Sequence, residues 1–473
     1  MGAVLWLPLA AAVLAATVSL RIPRVARLAG IAVSVVVLGT GLVLGAAALD
    51  HRVVTAAGGL LRADALSAFM LVVIGAVGLT ATWGGLQARS APGPAALMSA
   101  FLGAMSLAVL ADNLGVLWVA VEGTTIATAF LVGQHRTRAS LEAAWKYVVL
   151  GSVGVAIAFL GIVLVYAATR ASGTPTLSWV DLVRHPTLLD PAVLKLGAAL
   201  AVLGFATKAG LAPMHSWLPD AHSQAPAPVS GLMSGVLLSV AFYAILRIQA
   251  VANPVLGPGL LRGMLAVAGL LSLAVAAALL LRQRDYKRML AYSSVEHMGL
   301  LALGAAAGGP LALTAVLLHM LGHGLAKSSL FVVSGRLLAV EHSTAVADIR
   351  GLLARRPGLA VPWLAGTAAL LGLPPFSLFF SEVGIVVGAW TAGLQVVTAV
   401  GLGLLLVAFA ALVRLTATMT LGAGGPGEEP DRSAHGPWLP LALALAVVAV
   451  IALLSGPFGT LLRQAAAVLG GAS

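Results

Sequence analysis

The stretch FATKAGLAPMHSWLPDAH, residues 205–222, places Lys208 inside a long apolar run and follows it at once with Gly210 and Pro213. Proline removes a backbone hydrogen bond and clashes with the preceding turn, so we expect the helix to bend or unwind around 209–213. A charge and freed backbone groups are both costly in lipid, and they are tolerated only against protein or a wet cavity. The stretch therefore predicts a functional break in a membrane helix. The alternative, a simple kink with a snorkelling lysine, fits less well because Lys208 lies well inside the run.

The composition is that of a polytopic membrane protein. The chain has 473 residues, of which 60% are hydrophobic and 9% charged, whereas a soluble domain carries about 25% charged residues. A membrane barrel is excluded because its strands alternate apolar and polar residues over about 10 positions. We expect an all-α fold with about 14 spans, at 3–20, 26–49, 65–87, 94–111, 113–133, 145–168, 192–212, 227–250, 258–281, 289–307, 310–335, 359–390, 394–421 and 438–456.

Two longer connections interrupt this series. Residues 169–191 have room for a short interfacial helix, and residues 422–437 form a polar loop rich in Gly and Pro.

The loops on one side of the membrane carry about twice as many Lys and Arg residues as those on the other. The positive-inside rule makes the richer side cytoplasmic, so both termini are expected outside the inner membrane. No basic residue precedes the first span, which argues against a cleavable signal peptide.

Several functions are disfavoured by what the sequence lacks. It contains no cysteine, which removes thiolate zinc sites and iron–sulfur ligation. No H-E-x-x-H spacing and no phosphate loop occurs. We therefore predict no metal site and no cofactor in this chain. The formal charge of +11 lies in short loops between spans, so it does not indicate nucleic-acid binding.

Seven ionisable residues fall within predicted spans instead of loops. Each costs about 2.5–3.5 kcal/mol at a helix centre on insertion scales, so they are expected to point inward, toward each other or toward water. They are Glu122, Lys208, His297, His319, His323, Lys327 and Glu382.

Three of them form a ladder on one helix. His319, His323 and Lys327 are spaced i, i+4 and i+8, which places them on one stripe that rises about 6 Å per step. Because histidine titrates near neutral pH, a proton could pass between the rungs through water. The alternative is three separate hydrogen-bonded contacts between helices.

A second interrupted run echoes the first. LLGLPPFSLFFSEVGIV, residues 370–386, contains Gly372, Pro374 and Pro375, and Glu382 follows about two turns later. Two interrupted helices, each with a buried ionisable group, are typical of transporters built from repeats. Glu122 is expected to ionise beside Lys208 as a pair that can be made and broken, unless it is protonated and bonded to backbone.

Four stretches together resemble the antiporter-like, proton-translocating membrane subunits of respiratory complex I, Mrp-type cation antiporters and energy-converting hydrogenases. They are KAGLAPMHSWLPDAHSQAPAPVSGLMSGVLL, DYKRMLAYSSVEHMG, HMLGHGLAKSSLF and GLPPFSLFFSE. SSVEHMG and AWKY look most like the hydrogenase-4 and formate hydrogenlyase group. The resemblance implies two inverted five-helix repeats with broken helices 7 and 12. The expected divisions are 1–93 (helices 1–3), 94–257 and 258–421 (the repeats), and 422–473 (the polar loop and helix 14).

The resemblance also implies roles. Glu122 and Lys208 match an acid–lysine pair, His319, His323 and Lys327 match a central relay, and Glu382 matches the terminal ionisable group. His215, Ser239 and His297 are expected to support them, and Gly210, Pro213, Pro374 and Pro375 to break the helices.

Two positions depart from the family pattern. Ser239 stands where many members have a lysine, and Glu122 comes one turn later than usual after Trp118. A hydroxyl orients water but holds no charge, so either water bridges Lys208 to His319 or coupling runs differently. The later position of Glu122 weakens the inferred contact with Lys208.

The expected function is proton translocation within a redox-driven membrane complex. The partners implied are other antiporter-like and small membrane subunits, a quinone- or hydrogenase-associated membrane subunit, and a peripheral arm with iron–sulfur and NiFe centres or NADH. The alternatives are a Na⁺/H⁺ exchanger subunit of the Mrp type and a scaffold subunit that no longer conducts, for which Ser239 is the best support.

Overall fold

Helices make up nearly the whole of the described structure. The computed structural model describes residues 1–86, 91–170, 173, 175–421, 438–450 and 456–470. The predicted polar loop at 422–437 lies outside these residues. The α-helices are α1 Leu7–Arg21, α2 Ala26–Leu49, α3 Ala65–Gly84, α4 Pro92–Leu110, α5 Leu114–Val132, α6 Arg138–Ala168, α7 Trp179–Arg184, α8 Pro191–Lys208, α9 Trp217–Gln224, α10 Ala227–Leu232, α11 Leu238–Leu256, α12 Gly259–Leu281, α13 Tyr286–Ala307, α14 Gly309–Glu341, α15 Leu352–Arg355, α16 Pro357–Leu370, α17 Ser377–Thr391, α18 Gln395–Leu421, α19 Trp438–Val450 and α20 Pro457–Leu469.

The all-α membrane fold is confirmed. Within the described ranges, eleven helical segments are long and apolar enough to cross a bilayer. The other three predicted spans correspond to α13, the interrupted pair α16–α17 and the shorter α19, so the total of fourteen stays a prediction. A two-stranded antiparallel hairpin, β1 Val54–Ala56 and β2 Leu61–Ala63, joins α2 to α3. The short helix expected within 169–191 is α7.

The centre of the molecule is formed by α14 and by the segment that runs from α10 into α11. In an 18-residue apolar stretch of α14, 94% of the residues are buried, and in one of Ala227–Leu256 all of them are. α14 packs against α3, α10, α13, α16 and α17. A π-helical segment, Met233–Leu237, joins α10 to α11, and π turns within helices are frequent at functional sites. The polar residues of α14 therefore lie inside the bundle, away from lipid.

Close packing of α6 on α8 fixes where Lys208 lies. A Cβ added at Gly204 would come within 2.3 Å of the Ala158 backbone nitrogen, and one added at Gly161 within 2.3 Å of the Ala201 nitrogen. Small residues let membrane helices approach to backbone contact. Since Lys208 follows Gly204 by one turn, its side chain is held against the N-terminal half of α6, beside Tyr147.

A buried ion pair joins the end of the hairpin to the middle of α11. Arg247 is fully buried and donates to both carboxylate oxygens of Asp64, at 3.0 and 2.9 Å. Its guanidinium also lies 3.7 Å from the ring centroid of Trp179 on α7. Asp64 in turn caps α3 by accepting from the Ser67 backbone N–H at 2.8 Å. One arginine thus joins α3, α7 and α11.

Candidate functional site

Both predicted helix breaks are present, and at both the helix ends with the same pattern of backbone hydrogen bonds. α8 ends at Lys208, and Gly210 follows with a φ of +75°. The Gly210 N–H donates to the Thr207 carbonyl and the Leu211 N–H to that of Ala206, at 3.2 and 3.0 Å. This is the Schellman pattern, in which a left-handed glycine ends the helix. Lys208 is consequently the last helical residue and not, as expected, a mid-helix one.

The second break repeats these features. α16 ends at Leu370, and Gly372 has a φ of +62°. The Gly372 N–H donates to Ala369 and the Leu373 N–H to Ala368, at 3.2 and 3.1 Å. Pro213 and Pro375 each follow their glycine by three residues, and each is preceded by a cis peptide bond. Corresponding positions in the two predicted repeats therefore carry the same local structure.

Lys208 and Glu122 are joined through a hydroxyl and do not touch directly. The Lys208 ammonium is fully buried and donates to Thr125 Oγ1 at 2.7 Å and to Tyr147 OH at 2.6 Å. Thr125 Oγ1 donates to Glu122 Oε2 at 3.2 Å, and Ser152 donates to Glu122 Oε1 at 3.0 Å. We call these five residues the lysine cluster. They form a continuous hydrogen-bonded path from the end of α8 to the half-buried carboxylate on α5.

The second break carries a histidine cluster, which we define as His297, His319, His323, Ser381 and Glu382. Ser381 on α17 lies 2.9 Å from His319 Nδ1, and His319 Nε2 lies 2.9 Å from His297 Nδ1 on α13. The His323 ring is 5.0 Å from that of His297, between centroids, and stacks on that of His319 at 6.3 Å. Polar side chains from α13, α14 and α17 are therefore in contact with one another in the described structure.

Two features of this cluster leave room for water or a cation. Both ring nitrogens of His323 are buried without a hydrogen-bond partner among the described residues, and so is His297 Nε2. The ligand atoms of His297, His319 and Glu382 all lie within 4.8 Å of one another. Imidazole and carboxylate are ligands for transition metals, so these three residues could hold such an ion.

Gly372 makes the space for Glu382. A Cβ added at this glycine would lie 2.4 Å from Glu382 Oε2 and 2.8 Å from its carboxyl carbon. The carboxylate therefore rests directly on the backbone of the second break. The break and the acid that follows it are one structural unit.

Lys327 contacts α13. Its fully buried ammonium donates to the Leu290 carbonyl at 2.5 Å and makes a short hydrogen bond with Ser293 Oγ. Glu296, on the same helix, is also buried, and its Oε2 has no partner in the described part of the chain. Lys327, like His319, thus bonds to α13.

Two of the three supporting residues expected from the sequence make no hydrogen bond to a predicted relay residue among the described contacts. Ser239 is buried and donates back to the Gly235 carbonyl at 3.3 Å, so its hydroxyl is used within its own helix turn. His215 lies in the first break, half-buried, with Nδ1 unpartnered among the described groups. Of the three, His297 is the one that bonds directly to a predicted relay residue.

Sequence reasoning missed the rings that lead away from the lysine cluster. The rings of Tyr147 and Trp217 are 5.0 Å apart, those of Trp217 and His222 6.1 Å, and those of His222 and Phe331 5.8 Å. His222 is fully buried, bonds to the Leu218 carbonyl at 2.9 Å through Nδ1, and has its Nε2 free among the described atoms. The sequence signal that could have indicated His222 is its position near the end of an amphipathic helix, α9. The chain of rings leads from the lysine cluster to α14.

Comparison with known proteins places relatives of this chain among membrane subunits. A family model described as "NADH:quinone oxidoreductase/Mrp antiporter, TM" matches residues 111–420. The chain is 38% identical over 349 residues to a hydrogenase-4 component F homolog of Methylacidiphilum infernorum, covering 72% of each chain. It is 34% identical over 349 residues to NADH-quinone oxidoreductase subunit N of Desulforudis audaxviator, covering 71% of this chain and 68% of that one.

Two solved structures show the same fold. A chain of the membrane-bound sulfane sulfur reductase, an archaeal respiratory membrane complex, superposes with a TM-score of 0.90 at 26% identity, covering 98% of this chain and 96% of that one. A chain of the Mrp complex from Dietzia sp. superposes with a TM-score of 0.85 at 22% identity, covering 99% and 98%. At that identity the second likeness concerns the fold alone.

Proposed function

The chain belongs to the NADH:quinone oxidoreductase/Mrp antiporter transmembrane family, and we propose that it is a proton-translocating membrane subunit of a redox-driven complex. The matched relatives include subunits of a hydrogenase-4 and of NADH-quinone oxidoreductases. The observation that carries the proposal is that six of the seven predicted ionisable residues lie in two clusters inside the bundle, one at each helix break.

In the proposed mechanism, Glu122 and Lys208 form the switchable pair. A proton leaves the Lys208 ammonium through the Thr125 hydroxyl to reach Glu122, and Ser152 steadies the carboxylate. His319 and His323, with Lys327, relay protons along α14, and His297 extends that relay to α13. Glu382 is the terminal group, held against Gly372 at the second break. His215 and Ser239 would order water beside the first break.

The proposed architecture is two inverted repeats, 94–257 and 258–421, flanked by 1–93 and 422–473. The equivalent closures at Gly210 and Gly372 support it. We further propose that both termini face outward from the inner membrane.

The proposed partners are other antiporter-like and small membrane subunits, a quinone- or hydrogenase-associated membrane subunit, and a peripheral arm with iron–sulfur and NiFe centres or NADH. Apolar side chains exposed on α1 and α18, such as Val13, Leu14 and Leu406, suit lipid and membrane neighbours.

The test is substitution of the pair. In proteoliposomes of the whole complex, Lys208→Ala or Glu122→Ala is expected to lower proton translocation per electron transferred by about 10²-fold or more, the usual contribution of a positioned acid or base. Assembly is expected to survive, as measured by subunit composition on native gels.

Matched controls lie on the same helices or their neighbours. Lys195 is an exposed lysine on α8 and Glu142 an exposed glutamate on α6, so Lys195→Ala and Glu142→Ala should leave translocation unchanged. Full translocation in both Lys208→Ala and Glu122→Ala would reject the mechanism.

A second candidate is Na⁺/H⁺ exchange without redox input. The observation that favours it is the Mrp antiporter named in the description of the matched family. The reconstituted chain alone would then exchange Na⁺ for protons, measured with a pH-sensitive dye. If it does not, and translocation needs electron transfer, the redox-driven assignment holds. A scaffold without conduction, suggested by Ser239, predicts that neither activity responds to Lys208→Ala.

A further inference from the structure

A cavity of about 330 Å³ lies at the level of the helix ends, away from both clusters. Its walls include Gly84 at the end of α3, Pro226 before α10, Lys287 at the start of α13 and Arg336 near the end of α14. Arg336 precedes the end of α14 by five residues, a rise of about 8 Å. The cavity is therefore at headgroup depth on the side where α3 and α14 end.

The polar part of the cavity is wholly basic. Lys287, Arg336 and His135 line it, and no Asp or Glu occurs among its described lining residues. Lys287 is 4% exposed, and its ammonium donates one hydrogen bond to the Ala225 carbonyl at 3.0 Å. Arg336 Nη2 is buried without a partner in the described part of the chain. Arg336 Nη2 thus lacks the acceptor that a buried cationic group requires.

The rest of the wall is apolar and opens outward. Pro226, Pro228 and Val332 form the interior, and Leu338 and Ala339 at the rim are exposed. A smaller cavity of about 100 Å³ shares Pro226 and Pro228 and adds Arg27. An inorganic phosphate would use the basic end alone. A phospholipid would use both the basic end and the apolar wall.

We propose that this cavity, which we call the basic cavity, binds the phosphate headgroup of an anionic phospholipid. Lys287 and Arg336 hold the phosphate, and the glycerol and first acyl carbons lie along the proline and Val332 wall. Basic sites between membrane helices on the cytoplasmic side are suited to such headgroups. The site is separate from the proposed proton path, so neither proposal depends on the other.

The experiment measures lipid retention by the full-length protein. Wild-type protein is equilibrated in nanodiscs of phosphatidylcholine with phosphatidylglycerol, extracted in mild detergent and weighed by native mass spectrometry. The double variant Lys287→Gln/Arg336→Gln is expected to retain phosphatidylglycerol about thirtyfold less, about fivefold per lost basic group. Ala339→Trp, which fills the rim and leaves the charges intact, should also lower retention.

The matched control is Arg284→Gln, an exposed arginine on the same face that does not line the cavity. It should retain lipid as the wild type does. Equal retention by the wild type and the double variant would overturn the proposal. It would also be overturned if excess inorganic phosphate displaced the lipid while Ala339→Trp had no effect, since the site would then be one for a free anion.

Discussion

Thr125 is the residue on which the first cluster depends. Its hydroxyl accepts from Lys208 and donates to Glu122, so it is the atom through which the two charges communicate. The sequence shows Lys208 and Glu122 as isolated charges in apolar runs, which is a strong signal because such residues are costly in lipid. Thr125 carries no such cost, so nothing in the sequence distinguishes it from other threonines on α5.

Replacing this hydroxyl by a methyl group gives a direct test. Thr125→Val keeps the shape of the side chain but can neither accept from Lys208 nor donate to Glu122. We expect proton translocation per electron to fall at least about tenfold, measured in proteoliposomes of the complex. Thr125→Ser retains the hydroxyl and should retain most of the activity. Equal losses in the serine and valine variants would point to a packing role and contradict the relay.

At the scale of the element, the two breaks were predictable and their partners were not. Gly210, Pro213, Gly372 and Pro374 are local signals, because proline and left-handed glycine interrupt helices whatever surrounds them. The contact between His297 and His319 joins residues 22 apart on separate helices, and the π segment at Met233–Leu237 has no residue signature. Sequence periodicity gives the buried face of a helix but not which helix meets it.

The dependence of Glu382 on the second break can be tested at Gly372. Gly372→Ala combines a strained left-handed φ with a Cβ only 2.4 Å from Glu382 Oε2, so it must displace the carboxylate. We expect the melting temperature to fall and proton translocation to drop about tenfold or more. Both are measured on purified complex.

Gly393→Ala separates the two effects. Gly393 also has a left-handed φ, of +86°, but an added Cβ meets nothing within 4 Å. Backbone strain alone, about 1–2 kcal/mol, should therefore lower the stability of this variant without a matching loss of translocation. The same loss in both variants would show that the position of Glu382 is not what Gly372 protects.

At the scale of the whole molecule, the fold follows from the distribution of apolar residues, but its orientation rests on loop charges alone. The helices of the centre, α11 and α14, are deeply buried, although α14 carries three of the predicted ionisable residues. Buried ionisable residues on a central helix are what support the proposed proton path through the interior. The order of helices around that interior could not be read from one sequence, because every span is apolar on most faces.

The absence of cysteine from the sequence makes the orientation simple to measure. Thr55 lies exposed between α2 and α3, and Ala347 between α14 and α15. Thr55→Cys is expected to react with a membrane-impermeant maleimide in right-side-out vesicles, and Ala347→Cys only in inside-out vesicles. The unsubstituted protein is the control. The opposite labelling pattern would reverse the proposed topology.

The uninterrupted length of α14 has a thermodynamic consequence. One 33-residue helix, about 50 Å long, bears His319 and His323 at its middle and Arg336 near its end, with no break to absorb motion between them. Two equilibria that shift the same rigid body are linked, and each alters the other by the same factor. Lipid binding at Arg336 and proton transfer at the histidines would then be coupled, making the surrounding bilayer a regulator of the proton's path.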